Sequence, residues 1–329
     1  MTTAATELPL LVGTVEVTAV SRLSPSFVRV ELGGALLDEL GVEAPWYDQR
    51  IKLVFPGTPG VVPDFAGADD SWYSTWLSRP EAERGHMRTY TVRDVLRSPS
   101  GTRLVIDIVV HDGASGPGNA WALAARPGDG LALMAPRRGH EYGGIEWIPE
   151  PGRRLLLAGD ETALPAIAAI LEQIPATARG TAFVEVPLAA DVQDIDHPVG
   201  VEVVWLARDG AEHGVVLHQA VVAHLGAKPT PLVIDEAEVD PDLWETPTYS
   251  SSGEVTSGGA APTGPHADLY AWIAGSRRSS RPCAGTWCVS SASIGTRSAS
   301  WATGAVACRC APEPTRPGPP QEASGIAVW

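Results

Sequence analysis

The chain has 329 residues, 44% of them hydrophobic, which is enough for about two domains with real cores. Its 39 Asp and Glu residues outnumber its 24 Lys and Arg residues and give a formal net charge of −15. This balance argues against a nucleic acid or an anionic membrane as partner, because phosphate binding needs concentrated basic side chains.

Two further features bear on location. No apolar run reaches the length of a membrane span, and the first ten residues, MTTAATELPL, lack the cationic start and apolar core of a signal peptide. Residues 1–275 contain no cysteine and do not depend on disulfides. We therefore expect a cytoplasmic protein without membrane insertion, and we expect a monomer. The four cysteines, all in the last fifth of the chain, are Cys283, Cys288, Cys308 and Cys310.

The first half of the sequence is rich in β-branched residues that alternate with polar ones. TVEVTAVSRL and SFVRVEL show the alternation typical of half-buried antiparallel strands. DQRIKLVFP, MRTYTVRDV, TRLVIDIVVH and ARPGDGLALMAP continue the series, separated by turns rich in Gly, Pro and Asp. This run of strands with little helix predicts an antiparallel barrel or sandwich over residues 10–150.

The pattern changes after Gly152. RRLLLAGDETALPAIAAILEQIP contains an apolar strand, a polar turn and an amphipathic helix, and AEHGVVLHQAVVAHLG also has helical spacing. GTAFVEVPL, VEVVWLAR, TPLVIDEAE and DLYAWIAG are predicted strands. This alternation predicts a doubly wound parallel sheet over residues 151–275, with an exposed loop at 246–267.

The turn after the first strand of this second half is a candidate site. Asp160, Glu161 and Thr162 follow the strand directly, and Pro165 suits the first turn of the helix that begins there. In a parallel sheet such a turn lies at the carboxyl edge, where nucleotides bind. The acidic pair favours contact with a ribose or nicotinamide over a phosphate. A plain helix capped by Asp160 or Thr162 is an equal alternative.

Two stretches of the first half could bind an anion and a planar ring. The glycines of HDGASGPGNAW suggest a turn that opens a helix and exposes backbone N–H groups, although such turns are common. In RTYT, an arginine and a tyrosine two residues apart could clamp a pyrophosphate and stack on a ring. Taken alone, RTYT reads more simply as an exposed strand. In a strand its faces would carry Arg88, Tyr90 and Val92 on one side and Thr89, Thr91 and Arg93 on the other.

Together these stretches resemble the siderophore-interacting protein family, the FAD-dependent ferric-siderophore reductases of the ferredoxin-reductase-like group. The resemblance implies an antiparallel flavin-binding β-barrel followed by an NAD(P)H-binding parallel-sheet domain. The matching stretches, in family order, are RTYTVR (88–93), H with GPGNAW (111–121), PGD (127–129), GDETALPAI (159–167), VEVVWLAR (201–208) and LYAWIAG (269–275).

The resemblance also implies roles for individual residues. Arg88 would bind the FAD pyrophosphate, Tyr90 would stack on the isoalloxazine and Thr91 would approach its polar edge. The family usually has a small residue and Ser or Thr at Gly118 and Asn119, and Asn can still form hydrogen bonds. The implied FAD contacts are Arg88, Thr89, Tyr90, Thr91, His111, Gly116, Gly118 and Asn119. The implied borders of the NAD(P)H site are Asp160, Glu161, Thr162, Ala274 and Gly275.

The implied reaction passes a hydride from NAD(P)H to FAD and then single electrons to a ferric siderophore, which releases the more weakly bound ferrous iron. It requires no catalytic acid and no permanent metal site. Arg93, Arg137 and Arg138 are candidates for gripping the chelate, and Arg93 could instead pair with a carboxylate. A non-catalytic siderophore-binding protein or inactive relic, and a general flavin reductase or electron-transfer module, stay open as alternatives.

The sequence departs from the family after Gly275. The family continues with an acidic residue, a long amphipathic helix and a final strand, whereas residues 276–329 have no helical period and hold every cysteine. Reading one nucleotide back, with permitted synonymous codons, allows an amphipathic helix over 276–294 and LGYWR over 300–304. We therefore expect a frameshift after Gly275 and a non-native tail. The alternative is a disordered tail particular to this lineage.

Overall fold

The computed structural model describes residues 8–69, 71–111, 113, 116–140, 143–227, 266–276 and 298–299. Most of the predicted loop at 246–267, the predicted strand TPLVIDEAE, the four cysteines and nearly all of the tail lie outside these ranges. None of the helices in the described ranges combines the length and hydropathy needed to cross a bilayer.

The strands and helices follow one another in two groups. The strands are β1 (Leu10–Ser24), β2 (Phe27–Gly33), β3 (Arg50–Phe55), β4 (His86–Thr91), β5 (Asp94–Ser98), β6 (Gly101–Val109), β7 (Gly130–Pro136), β8 (Arg154–Gly159), β9 (Gly180–Val186), β10 (Val201–Ala207), β11 (Leu269–Ala274) and β12 (Ser298–Ala299). The α-helices are α1 (Trp72–Ser78), α2 (Glu81–Arg84), α3 (Pro117–Ala124), α4 (Leu164–Gln173) and α5 (Val215–His224). Ala35–Glu39 and Ala189–Asp191 form 3₁₀ turns.

The first seven strands form one antiparallel sheet in the order β4-β3-β7-β1-β2-β6-β5. Its two outermost strands, β4 and β5, are consecutive in the chain, so the ends of the sheet meet and it curls into a barrel-like form. The two residues between them continue the neighbouring ladders, because Val92 N donates to Gln49 O before β3 and Arg93 N to Val105 O in β6, both at 2.9 Å. The predicted antiparallel first half is confirmed.

The alternation of apolar residues along these strands fills the inside of the curled sheet. Every second residue of β3, for example, points inward, and Ile51, Leu53 and Phe55 are each about 1% exposed. The outer face of β3 and β7 is covered by the segment between β3 and β4. There Phe65 and Trp76 pack against Val54, Ala132 and Met134. The short helices of this cover, α1 and α2, were not anticipated from the sequence.

The second group forms a parallel sheet in the order β10-β9-β8-β11-β12. Successive residues of β8 point to opposite faces, where they meet different helices. Leu155 and Leu157 share a core with α4, whereas Leu156 and Ala158 share a core with α5. Helices therefore cover both faces, and the predicted doubly wound parallel sheet is confirmed. Because β9 and β11 flank β8, the chain changes winding direction there.

Hydrogen bonds join the two sheets. The carboxylate of Asp191, fully buried after β9, accepts from the β1–β2 hairpin: Ser24 Oγ at 2.6 Å, Ser26 N at 2.8 Å and Ser26 Oγ at 2.8 Å. On another side, Trp272 Nε1 in β11 donates to Asp48 Oδ2 just before β3, at 3.1 Å. The barrel and the parallel sheet are therefore held in a defined relation.

Candidate functional site

The inner face of β4 carries the arginine and the tyrosine of the RTYT motif. Their partners in β3 are Leu53 for Arg88 and Ile51 for Tyr90, and both partners belong to the barrel core. The Arg88 side chain is exposed, and its Nη1 donates to the carbonyl of Met87 at 2.7 Å. The Tyr90 ring packs on the core, and burial raises the pKa of its hydroxyl. The expected spacing on one face is thus present.

The two threonines of the motif lie on the other face, and both are buried. Thr89 Oγ1 accepts a hydrogen bond from Lys52 Nζ at 2.6 Å. Burial, and then the charge of Arg50, lowers the pKa of Lys52 to about 8. Thr91 Oγ1 is also inaccessible to solvent but has no hydrogen-bond partner among the described residues. A buried hydroxyl left without a partner is costly, so this atom points to a missing polar contact.

The glycine-rich turn reaches β4 through α3. A Cβ on Gly118 would lie 2.6 Å from the Tyr90 hydroxyl oxygen, so only glycine allows the helix to come this close. The Asn119 side chain folds back onto the backbone of His111: its Oδ1 accepts from His111 N at 2.7 Å and its Nδ2 donates to His111 O at 3.2 Å. Asn119, in the first turn of α3, therefore ties the start of the helix to His111, on the other side of the turn that ends at Gly116.

The carboxyl edge of the parallel sheet brings together the second group of predicted residues. Ala274 in β11 pairs with Gly159 in β8, so both strands end side by side, with Gly275 next. Asp160 is fully buried: its Oδ1 accepts from Thr162 N at 2.9 Å and Thr162 Oγ1 at 2.6 Å, and its Oδ2 accepts from Ser276 N at 2.7 Å. This carboxylate ties the ends of the two strands together.

The start of α4 differs from the predicted capped helix. Its N-cap residue is Ala163, which offers no side-chain hydrogen bond, and neither Asp160 nor Thr162 occupies that position. Asp160 instead closes the turn before the helix, and its backbone carbonyl accepts from Ala163 N at 3.0 Å and Leu164 N at 3.1 Å. The side chains of Asp160 and Thr162 bond to each other within the turn, so α4 begins one residue later than a cap at Thr162 would place it, and three later than a cap at Asp160.

Glu161 is held by an arginine from a neighbouring strand end. Arg208 follows β10 and binds both oxygens of Glu161 at 2.7 Å, and its Nη1 also contacts Glu185 Oε1 at 2.8 Å. Burial lowers the pKa of Arg208, but hydrogen bonds with both carboxylates outweigh it and raise the pKa. For Glu161, burial raises the pKa, and contacts with His213 and Arg208 bring it below its ordinary value. Glu161 and Arg208 are therefore both charged at neutral pH.

His213 completes the cluster. Its Nε2 lies 3.0 Å from Asp160 Oδ2 and 3.6 Å from Glu161 Oε2. Burial lowers the pKa of His213, but the hydrogen bonds to these two carboxylates prevail and raise it to about 9. By distance alone, Asp160, Glu161 and His213 could hold a metal ion. However, an imidazolium cannot ligate a metal, and Arg208 already neutralises Glu161, so the donor set does not fit one.

Glu185 occupies the beginning of α5. Its Oε1 accepts from Gly214 N at 2.8 Å and its Oε2 from Leu217 N at 3.0 Å. The N-terminus of a helix attracts an anion because its first N–H groups are unpaired and the helix dipole is positive there. In this protein a side chain of the neighbouring strand supplies that anion.

The glycine-rich turn between His111 and Asn119 lies next to the acidic cluster, which we define as Asp160, Glu161, Glu185, Arg208 and His213. His111 Nε2, from the barrel side, is 3.8 Å from Glu161 Oε1 at the carboxyl edge of the parallel sheet. The two regions singled out from separate halves of the sequence therefore border one space. Glu185, Arg208 and His213 were not singled out, although Glu185 and Arg208 mark strand ends and His213 immediately precedes a helix.

The three arginines considered for substrate binding have different environments. Arg93 is bidentate with Glu172, at 2.6 and 2.5 Å, and its Nε is 3.6 Å from Asp107. Arg137 pairs with Glu39 and donates from Nε to Leu8 O at 2.9 Å. Arg138 lines a cavity of about 310 Å³. Other residues around that cavity are Gly41, Glu43, Gln49, His140 and Ile145.

Comparison with known proteins agrees with this geometry. Residues 16–140 match the model of the siderophore-interacting FAD-binding domain, and residues 152–287 match that of the siderophore-interacting protein. The ferric vibriobactin reductase ViuB of Vibrio cholerae is 37% identical over 202 residues, 60% of this chain and 68% of that protein. The chain belongs to the siderophore-interacting protein family.

Three further proteins are similar to this chain. The NADPH-dependent ferric-chelate reductase of Escherichia coli is 33% identical over 58% of this chain and 69% of that protein. A Mycobacterium tuberculosis protein is 38% identical, and the alignment spans 65% of its length. The crystal structure of a siderophore utilization protein from T. fusca superposes with a TM-score of 0.59 at 28% identity, covering 89% of this chain and 92% of that one.

The cofactor of this siderophore-interacting family member is FAD, and the residues present fit it. The buried Thr91 hydroxyl lacks a polar partner among the described residues, and Gly118 lets the start of α3 pack against Tyr90, whose hydroxyl a Cβ would meet. Arg88, in the same strand as Tyr90 and Thr91, presents an exposed guanidinium. Together these features provide an unpartnered hydroxyl and a cation on β4, with a helix start packed closely against its tyrosine.

Proposed function

We propose that the protein is an NAD(P)H-dependent ferric-siderophore reductase that uses FAD. The observation that carries the proposal is the distance of 3.8 Å between His111 Nε2 and Glu161 Oε1, because it brings the glycine-rich turn to the carboxyl edge of the parallel sheet. The names of the Vibrio and Escherichia relatives support a ferric-chelate substrate and NADPH as electron donor. In this proposal residues 10–150 form the FAD domain and residues 151–275 the NAD(P)H domain.

The barrel residues would bind and orient the flavin. The chemistry that FAD supplies when bound is the conversion of a two-electron hydride donor into a one-electron reductant. Arg88 would hold the pyrophosphate, and the turn from Gly116 to Asn119 would offer backbone N–H groups to it. Tyr90 would face the ring, and the Thr91 hydroxyl would donate to a polar atom of its edge, which supplies the partner that this oxygen lacks.

The parallel sheet would bind the dinucleotide where β8 and β11 end. Ala274 and Gly275 are small residues at the end of β11, beside the end of β8 at Gly159. Glu161 and Thr162 would border the dinucleotide there, whereas Asp160 would act from beneath by tying the two strand ends. The carboxyl edge at a change of winding direction is where doubly wound sheets bind nucleotides.

The iron enters as substrate, and the proposal requires no resident metal. Arg138, on the cavity wall, is the best placed of the three candidate arginines to meet an anionic chelate. Arg93 and Arg137 are each paired with a carboxylate and would have to break that pair first. Reduction to ferrous iron weakens its binding to hard oxygen ligands, so the siderophore would release it.

The proposal is tested with the purified full chain loaded with FAD. Anaerobic addition of NADH or NADPH should bleach the flavin absorption, and a ferric siderophore added next should restore it as ferrous iron is formed. Free flavin and a quinone serve as comparison acceptors. Bleaching without reoxidation by ferric chelates would indicate a general flavin reductase, and a colourless protein that binds the chelate would indicate a binding protein. Either result contradicts the proposal.

A further inference from the structure

The carboxyl edge of the parallel sheet carries its own anions where a nucleotide phosphate would usually sit. Glu185 takes the N–H groups of Gly214 and Leu217 at the start of α5. Asp160 takes the N–H groups of Thr162, before α4, and Ser276, after β11. A dinucleotide that approaches this edge therefore meets backbone donors already bound to carboxylates, and its phosphates need a side-chain cation instead.

Among the described residues, the carboxylates of this cluster outnumber its cations. Three carboxylates, Asp160, Glu161 and Glu185, face the two cations Arg208 and His213, which leaves one negative charge, or two when His213 is neutral. An anionic dinucleotide is repelled by such a surplus, and the repulsion is strong because these groups are largely shielded from water. The protonation of His213 therefore decides how strongly this edge repels a nucleotide.

Of the two cations of the cluster, Arg208 and His213, the histidine is the more exposed to solvent. The Arg208 side chain is 12% exposed and is turned toward Glu161 and Glu185, whereas the His213 side chain is 23% exposed. Charged and titratable groups face it from every neighbouring element. Asp160 and Glu161 lie after β8, and Oε1 of Glu185 in β9 is 4.0 Å from His213 Nε2. Arg208, after β10, and His111, from the barrel, each contact the Glu161 carboxylate that His213 also faces. Ser276 Oγ, after β11, is 3.4 Å from its Nδ1.

We propose that His213 is a positioning residue for the pyridine dinucleotide, because its positive charge offsets the acidic strand ends and lets the anionic dinucleotide approach them. The inference rests on the proposed function and adds to it the residue that controls nucleotide affinity. His213 contributes to the charge that the dinucleotide meets at this edge, and it takes no part in hydride transfer.

The experiment measures binding rather than turnover. NADP⁺ is titrated calorimetrically into the flavin-loaded full chain at low salt, with the His213→Asn and His213→Arg variants in parallel. We expect His213→Asn to weaken binding about tenfold at low salt and less at high salt, where screening is stronger. We expect His213→Arg, which keeps the charge, to bind like the wild type. The control is His197→Asn, an exposed histidine in the loop before β10, at the opposite edge of the same sheet.

The pH dependence gives a second readout that a structural role alone would not move. Wild-type affinity for NADP⁺ should fall as pH rises through about 9, the pKa of His213, while His213→Arg stays level. The inference is wrong if His213→Asn binds NADP⁺ like the wild type, or if His213→Arg is as weak as His213→Asn. Binding of NADP⁺ without bleaching by NADPH removes the proposed function but not the inference, whereas the absence of any NADP⁺ binding overturns both.

Discussion

Two threonines on one face of β4 differ in how their hydroxyl groups are bound. Thr89 accepts a hydrogen bond from Lys52, and Thr91, two residues on, has no hydrogen-bond partner within the described part of the chain. Removing a paired hydroxyl leaves a buried donor unsatisfied, whereas removing an unpaired one relieves a cost. The two positions therefore offer a matched test of the flavin contact.

The first prediction concerns Thr91→Val in the flavin-free protein and in the loaded one. We expect the free energy of unfolding without flavin to stay level or rise by about 1 kcal/mol, because a buried unpaired hydroxyl is removed. Flavin affinity should fall about fivefold, the loss of roughly one neutral hydrogen bond. Urea denaturation and fluorimetric flavin titration measure the two quantities.

Thr89→Val is the matched control. It deprives Lys52 of an acceptor, so we expect the free energy of unfolding to fall by about 1.5 kcal/mol, with a smaller effect on flavin affinity than Thr91→Val. Equal flavin affinities of the two variants would count against the assignment of Thr91 to the flavin.

A second prediction follows from His213. Its pKa is 6.5 in the unfolded chain and about 9 in the folded one, so the folded state binds the proton more tightly. The resulting stabilisation is complete below pH 6.5 and is lost as pH rises through about 9. Denaturation curves from pH 6 to 10 should show the wild type losing more stability than His213→Arg over this window. Parallel loss in the two proteins would refute the raised pKa.

The residues that share a face of β4 could be anticipated from their spacing, whereas the contacts within the acidic cluster could not. Arg88 and Tyr90 are two apart in one strand, and a strand alone fixes their common face. Glu185, Arg208 and His213 come from separate segments, and only the order β10-β9-β8 brings them together. Likewise, Glu172 lies 79 residues from Arg93, so their pairing is a product of tertiary structure.

At the scale of elements, the β1–β2 hairpin serves as the joint to the parallel sheet. Asp191 receives three hydrogen bonds from this hairpin, and Leu188 N adds a fourth at 3.1 Å. Phe27, the next residue of the hairpin, is fully buried in the core beneath α4. One carboxylate and one aromatic ring thus fix how the barrel meets the second sheet.

The third prediction is that Asp191→Asn loosens this joint. An amide cannot accept all of these bonds, and it places an N–H₂ group against existing donors, so we expect the free energy of unfolding to fall by about 2 kcal/mol. The rate of flavin bleaching by NADPH should fall while flavin affinity stays near the wild-type value, because the hairpin is remote from β4. Stopped-flow absorbance and denaturation measure these quantities.

Asp194→Asn, an exposed site three residues further on, is the control for this joint and should change neither quantity. A variant at Asp191 that bleaches as fast as the wild type would mean that the orientation of the two sheets is set elsewhere, for example at Asp48 and Trp272.

Most strands and the two longer helices followed from periodicity, but the division of MRTYTVRDV between β4 and β5 and the cover on the barrel did not. α4 and α5 have apolar spacing over ten residues each, and Gly226, with a φ of 70°, follows α5 as the sequence indicated. α1 and α2 are seven and four residues long. Such short helices depend on the surface they cover, here Val54, Ala132 and Met134, and that surface exists only after folding.

At the scale of the whole molecule, both halves of the proposed site lie upstream of residue 276, and the reading frame beyond it is the remaining prediction. We expect a gene with the frame restored after Gly275 to give more folded protein and faster NAD(P)H-dependent reduction of ferric chelates than the chain as written. Yield of monomer by gel filtration and ferrous-iron formation are the measurements. Equal rates of ferric-chelate reduction by the two proteins would contradict this prediction, and a stop codon in the shifted frame of the gene would reject the frameshift hypothesis itself.

The end strands of the two sheets differ in what borders them. In the barrel, the end strands β4 and β5 are joined directly in the chain by Val92 and Arg93, whose N–H groups pair with Gln49 and Val105. β10, at one end of the parallel sheet, pairs only with β9 within the described residues, and its sequence VEVVWLA has a single charge. An apolar edge of this kind is a template for strand addition. Aggregation at high concentration should therefore begin at β10, and a lysine placed there would be the simplest way to suppress it.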